Sequence, residues 1–84
     1  MNAIHWNTKA IKQLRKLERS HQRMIVETVD DLHAMPACAS VIALVNHACG
    51  YRLRIGRYRV LFDWDRGVRI VEIQQVRKRD EGTY

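Results

Sequence analysis

Four arginines and no other charged residue lie between Gly50 and Phe62, in the run Tyr-Arg-Leu-Arg-Ile-Gly-Arg-Tyr-Arg-Val-Leu-Phe. A guanidinium is a planar fork of donors that matches two phosphate oxygens at once. Three such groups on one surface, Arg52, Arg54 and Arg59, would hold a phosphodiester. Cutting that diester through the ribose 2′-hydroxyl, without a metal, needs a base, cations for the charge building on phosphorus, and an acid for the leaving oxygen. Arginine supplies the cations but not the base, because it does not deprotonate in proteins. Candidates for proton transfer are His47, which precedes the arginine run, and Tyr84, the last residue, with Asp80 and Glu81 behind them. Imidazole titrates near neutrality, and a tyrosine can stack on a base or lend a proton.

The run that carries the arginines reads as a β-hairpin. Gly56 opens a two-residue Gly-Arg turn of type II′, which needs φ > 0 at its first central position. That turn pairs Ile55 with Tyr58, Arg54 with Arg59, Leu53 with Val60, Arg52 with Leu61 and Tyr51 with Phe62. Side chains alternate along a strand, so Tyr51, Leu53, Ile55, Tyr58, Val60 and Phe62 share an apolar face. Arg52, Arg54 and Arg59 share the other, with Arg57 at the turn. Like charges opposite one another in a sheet are destabilising. A face built only for solubility would mix signs, and this one has arginine alone. On this reading Arg59 lies on an open polar face, and truncating it should leave no cavity.

The remaining elements must cover the apolar face. Ala3 to Trp6 suits a short edge strand. Asn7 and Thr8 offer an N-cap, and Ala10, Ile11, Leu14 and Leu17 then recur at helical spacing, which predicts a helix over 8–19. Ser20 caps a second, with Met24, Ile25, Thr28, Val29, Leu32 and Met35 as its buried stripe, closed by Pro36. Lys12, Lys16 and Arg19 fall on a solvated helix face, and Trp6 and Trp64 on apolar ones. Val41 to Val45 is a strand or an extended segment, and Val68 to Val76 a further strand. Placing Phe62 opposite Val71 and Val60 opposite Ile73 puts Glu72 and Gln74 beside Leu61 and Arg59. The expected fold is α+β, ordered β-α-α-β-β-β: a three- to four-stranded antiparallel sheet with both helices on one face.

An 84-residue chain that is 46% hydrophobic and 29% charged suits one small globular domain. No apolar run approaches the roughly 18 residues of a membrane span, and no signal-peptide pattern opens the chain. Cys38 and Cys49, with no metal-site spacing around them, suit a reduced pair in the cytoplasm. The net charge of +6 resides in residues 50–79, which alone carry nine basic and three acidic side chains. Such a surface favours nucleic acid or an acidic protein segment as partner.

The order β-α-α, then the arginine hairpin, then an apolar strand ending Val76-Arg-Lys-Arg-Asp-Glu-Gly-Thr-Tyr84, resembles the RelE/ParE toxin superfamily of toxin–antitoxin systems over the whole chain. The resemblance implies a cytoplasmic toxin with no cofactor, held by a cognate antitoxin. It also implies one of two activities: cleavage of mRNA on the ribosome (RelE-like) or non-nuclease inhibition of DNA gyrase (ParE-like). For a RelE-like site it implies Arg52 and Arg54, where RelE itself has lysines, Arg59 after the turn, and Arg79 and Tyr84 near the C-terminus, one residue closer together than in RelE. Lysine can act as a base where arginine cannot. Relatives of the HigB and YafQ kind use histidines, which makes His47 the substitute.

Overall fold

A computed structural model describes residues 2–38 and 40–78. Its elements are β1 (Ala3–Trp6), α1 (Thr8–Arg15), α2 (Arg19–Val29), a 3-10 turn (Asp30–Ala34), β2 (Val41–Ala43), β3 (Tyr51–Ile55), β4 (Tyr58–Asp65) and β5 (Ile70–Lys78). The strands form one sheet in the order β1-β5-β4-β3-β2. This corrects the expected three- to four-stranded antiparallel sheet: five strands are present, and β1 runs parallel to β5, from Ala3 opposite Ile70 to Trp6 opposite Ile73. Asn2 pins the start of β1, its amide donating to the carbonyls of Leu32, His33 and Met35 at the end of the helical layer.

Asn7 caps α1 as expected, accepting the Ala10 N–H at 2.8 Å. The helix ends at Arg15, four residues earlier than its spacing suggested. Ser20 is inside α2, not at its cap; Glu18 holds the cap position without a side-chain bond. Gln22 ties the junction instead, donating to Leu17 O at 2.8 Å. Ala10, Ile25, Val29 and Leu32 pack on Leu53, Ile55, Tyr58, Val60, Phe62, Val71 and Ile73, so both helices lie on one face of the sheet. Met24 turns outward and is 38% exposed, outside the expected stripe. Trp6 and Trp64 pack against this core as predicted. No helix among the described residues is long and apolar enough to cross a membrane.

The β3–β4 register is the predicted one at all five pairs. The β4–β5 register is not. Phe62 lies opposite Ile73, and Val60 opposite Val76, with a bulge between Leu61 and Phe62. The bulge leaves Gln74 without a partner on β4, so both flanking stretches keep their apolar residues on the core face. An alternation rule finds the face but not the extra residue.

Candidate phosphate-binding site

The hairpin turn sets the site. Gly56 takes φ 54°, the left-handed value that a first turn residue of this type requires. The pairing it dictates puts Arg54 opposite Arg59, and on the far side of β4 Arg59 is opposite Arg77. Three arginines thus stand in line across the three central strands, on the face that carries no helix. Paired residues of antiparallel strands are about 4.5–5.5 Å apart at Cα. Arg52 follows one row along, opposite Leu61, whose other neighbour is Gln75.

The three are held differently. Arg54 is exposed and Arg77 half-buried. Arg59 is only 6% exposed, and its Nη1 donates to Gly56 O at 3.2 Å and Tyr58 O at 3.0 Å. This corrects the expectation of an open Arg59: its guanidinium is folded against the turn, where it satisfies backbone carbonyls as well as contributing charge. The expected neighbours of Leu61 and Arg59 on β5, Glu72 and Gln74, are elsewhere. A two-residue displacement of the register puts Glu72 opposite Asp63, and the bulge adds the further residue that brings Arg77 to Arg59. At Arg59 a neutral amide neighbour is thereby replaced by a cation, and at Leu61 an acid is replaced by Gln75.

The acids gather toward the other end of the same sheet. Asp63 accepts the Gly50 N–H at 2.7 Å and a Gln74 amide N–H at 3.3 Å. Gln74 also donates to Glu72, while its carbonyl oxygen accepts from Asn7 at 2.8 Å. His5 Nδ1 lies 3.4 Å from the Glu72 carboxylate. On the helix-free face the arginine line therefore lies near the Gly56 turn, with Asp63 and Glu72 toward the opposite end of the strands.

The bond from Gly50 to Asp63 draws the loop of residues 44–50 onto the helix-free face. Leu44 N–H donates to Gly50 O at 2.8 Å and closes the loop. A Cβ at Gly50 would stand 3.2 Å from Asp63 Oδ1, a tight approach. His47 belongs to this loop, at the Arg52 end of β3, and its Nδ1 accepts the Cys49 N–H at 3.0 Å. That bond fixes the neutral ring with its proton on Nε2. To accept a proton at Nδ1, His47 must first release the Cys49 amide. Burial, and next the Asp63 carboxylate, push the Cys49 thiol above the ordinary thiol range, with Lys9 acting the other way. A thiol held protonated is a poor nucleophile.

The structure thus brings Arg52, Arg54 and Arg59 onto one face and places His47 at its edge. Arg79 and Tyr84 lie outside the described residues. The sequence reading missed Arg77. Its one signal was that an apolar Val76 can share a face with Val60 only if the strand gains a residue.

No protein-family model matches the chain, and no curated protein does. Solved structures match it closely. The RelBE2 toxin–antitoxin complex from Mycobacterium tuberculosis superposes with a TM-score of 0.82 at 28% identity, over 93% of this chain and 98% of that one. The archaeal RelE–RelB complex from Pyrococcus horikoshii gives 0.80 at 24% identity, over 96% and 98%. The isolated Escherichia coli RelE toxin gives 0.79 at 15% identity, over 98% and 88%.

Proposed function

We propose, on the premise that this chain is RelE-like along nearly its whole length, that it is the toxin of a toxin–antitoxin pair and acts as a ribosome-dependent mRNA endoribonuclease. The observation that carries the reading is the line Arg54–Arg59–Arg77, with Arg52 beside it, on the face without helices. Cations set side by side on a sheet work against folding. Their arrangement is favourable when an anion lies between them, and most so when that anion gains charge, as phosphorus does on attack by the 2′-hydroxyl.

In this mechanism Arg52 and Arg54 seat the scissile phosphate. Arg59, fixed by the turn carbonyls, meets the growing charge without reorganising, and Arg77 adds a fourth cation. His47 or Tyr84 moves the protons, with Arg79 contributing from the C-terminal segment. Attack by the 2′-oxygen forms its bond to phosphorus as the 5′-oxygen leaves with a proton, giving a 2′,3′-cyclic phosphate and a 5′-hydroxyl. The cognate antitoxin would meet this surface with acidic charge. Two of the matched structures are the RelBE2 toxin–antitoxin complex and the RelE–RelB complex.

The test is primer extension on mRNA after induction, with gyrase supercoiling assayed in parallel. New 5′ ends inside translated frames, lost in Arg54→Ala, are expected. Losing one preorganised donor costs about 10²–10³-fold. Intact mRNA with trapped DNA–gyrase complexes would replace this reading with the ParE-like one.

A further inference from the structure

Strand β1 pairs with β5 only from Ile70 to Ile73, so the second half of β5 has no strand on that side. Helix α1 fills part of the gap. Gln13 Oε1 accepts the Val76 N–H at 2.7 Å, in place of a ladder partner. Beyond that bond the gap opens into a cleft of about 210 Å³, walled by Lys16, Arg77 and Lys78 and floored by Leu17, Val76 and Tyr58. The Tyr58 hydroxyl is engaged with His21 Nδ1 at 2.8 Å. Gln13 also brings its side-chain N–H donors to this cleft. Among the described residues no acidic side chain lines the cleft. Among the described residues, none of Lys16, Arg77 and Lys78 has an acidic partner within ion-pair distance. Lys12 and Arg15 in the last turn of α1 offset the negative end of that helix.

We propose that this cleft is a second phosphate site, holding the RNA backbone beyond the phosphate seated on the arginine face. It rests on reading that face as an RNA surface. Arg77 is the link, since it stands in line with Arg54 and Arg59 and also walls the cleft. The cationic track therefore runs over the sheet and round the free edge of β5 without a break. Lys16, on sequence alone a solvated helix residue, and Lys78, paired opposite the core residue Tyr58, meet only because β1 stops short. An RNA strand is the occupant that fits. Its charges recur along a flexible backbone, and the cleft offers donors without an apolar surface large enough to seat a helix.

The experiment measures binding of 2′-O-methyl RNA, which cannot be cut, by fluorescence anisotropy. It compares a dinucleotide with an oligomer of about ten nucleotides on the unaltered protein and on the Lys16→Gln/Lys78→Gln double variant. Both lysines are exposed, so circular dichroism should be unchanged. The variant is expected to lose about tenfold in affinity for the long oligomer and to keep its affinity for the dinucleotide. Its salt slope for the long oligomer should shrink by about 0.7, the value for one single-strand phosphate contact. Equal binding by variant and parent, or equal losses at both lengths, would overturn the cleft as a separate site. So would a parent that binds neither RNA, or a decaglutamate peptide with the same dependence on the two lysines. The two readings separate cleanly. Cleft-dependent binding without mRNA cleavage keeps the cleft and removes the nuclease, and cleavage with cleft-independent binding does the reverse.

Discussion

Arg54, Arg59 and Arg77 carry one charge at one level of the sheet, but their surroundings differ, and the surroundings decide what each substitution does. Arg59 donates to two turn carbonyls in a buried setting, so Arg59→Ala leaves those acceptors short and removes side-chain packing. Hydrogen bonds from charged groups contribute about 1.5–3 kcal/mol, and relief of repulsion from Arg54 and Arg77 offsets part of the loss. A net destabilisation of about 1–2 kcal/mol is expected, read as a lower midpoint in urea. Arg54 is exposed, and Arg54→Ala should stay within about 0.5 kcal/mol of the parent. Equal midpoints for the two variants would mean that the turn contacts of Arg59 contribute nothing to folding. Activity assays on Arg59 variants should therefore be compared at matched folded fraction, whereas Arg54 variants report on chemistry directly.

The β3–β4 hairpin is the element that aligns these residues, and Gly56 is its hinge. A Cβ at Gly56 would meet nothing within 4 Å, so crowding is not the obstacle to substitution. The obstacle is φ, at 54°, which costs a residue with a Cβ about 1–2 kcal/mol. Gly56→Ala should destabilise by that amount and Gly56→Asn by less, since asparagine tolerates the left-handed region. Identical losses in thermal melts would point to contacts, not backbone conformation. The same hairpin shows how far sequence reasoning reaches. Its five pairs, the turn glycine and the arginine face were legible because local alternation and turn chemistry determine them. The β4–β5 register was not, because a two-residue displacement keeps every side chain on its face, and the bulge at Leu61/Phe62 then adds one more residue without moving any apolar side chain off the core. The early end of α1 escaped too, since Leu17 keeps the helical spacing after the helix has stopped. The parallel β1–β5 pair has no local signal at all, and with Arg77 it was found only in the assembled sheet.

At the scale of the molecule, a net charge of +6 meets few internal counter-charges. The ion pairs found among the described residues each use a histidine: His5–Glu72, His21–Glu18 and His33–Asp30. Among the described residues no ion pair offsets Arg54, Arg59, Arg77, Lys16 or Lys78, and repulsion between them is screened by solvent and salt. Raising NaCl from low to physiological strength, where the Debye length falls to about 8 Å, should raise the melting temperature. A melting temperature that falls or does not move would show that the cations are compensated within the fold. The parallel β1–β5 pair also imposes an order on assembly. β1 is made first and docked last, because Ala3 must wait for Ile70. Contacts so far apart in the chain close slowly. Arg77 reaches Arg59 in the strand that β1 is waiting for, so the full cationic line forms only once β5 has been made and has paired with β4. Completion of the surface therefore waits on β5, the last of the five strands to be synthesised.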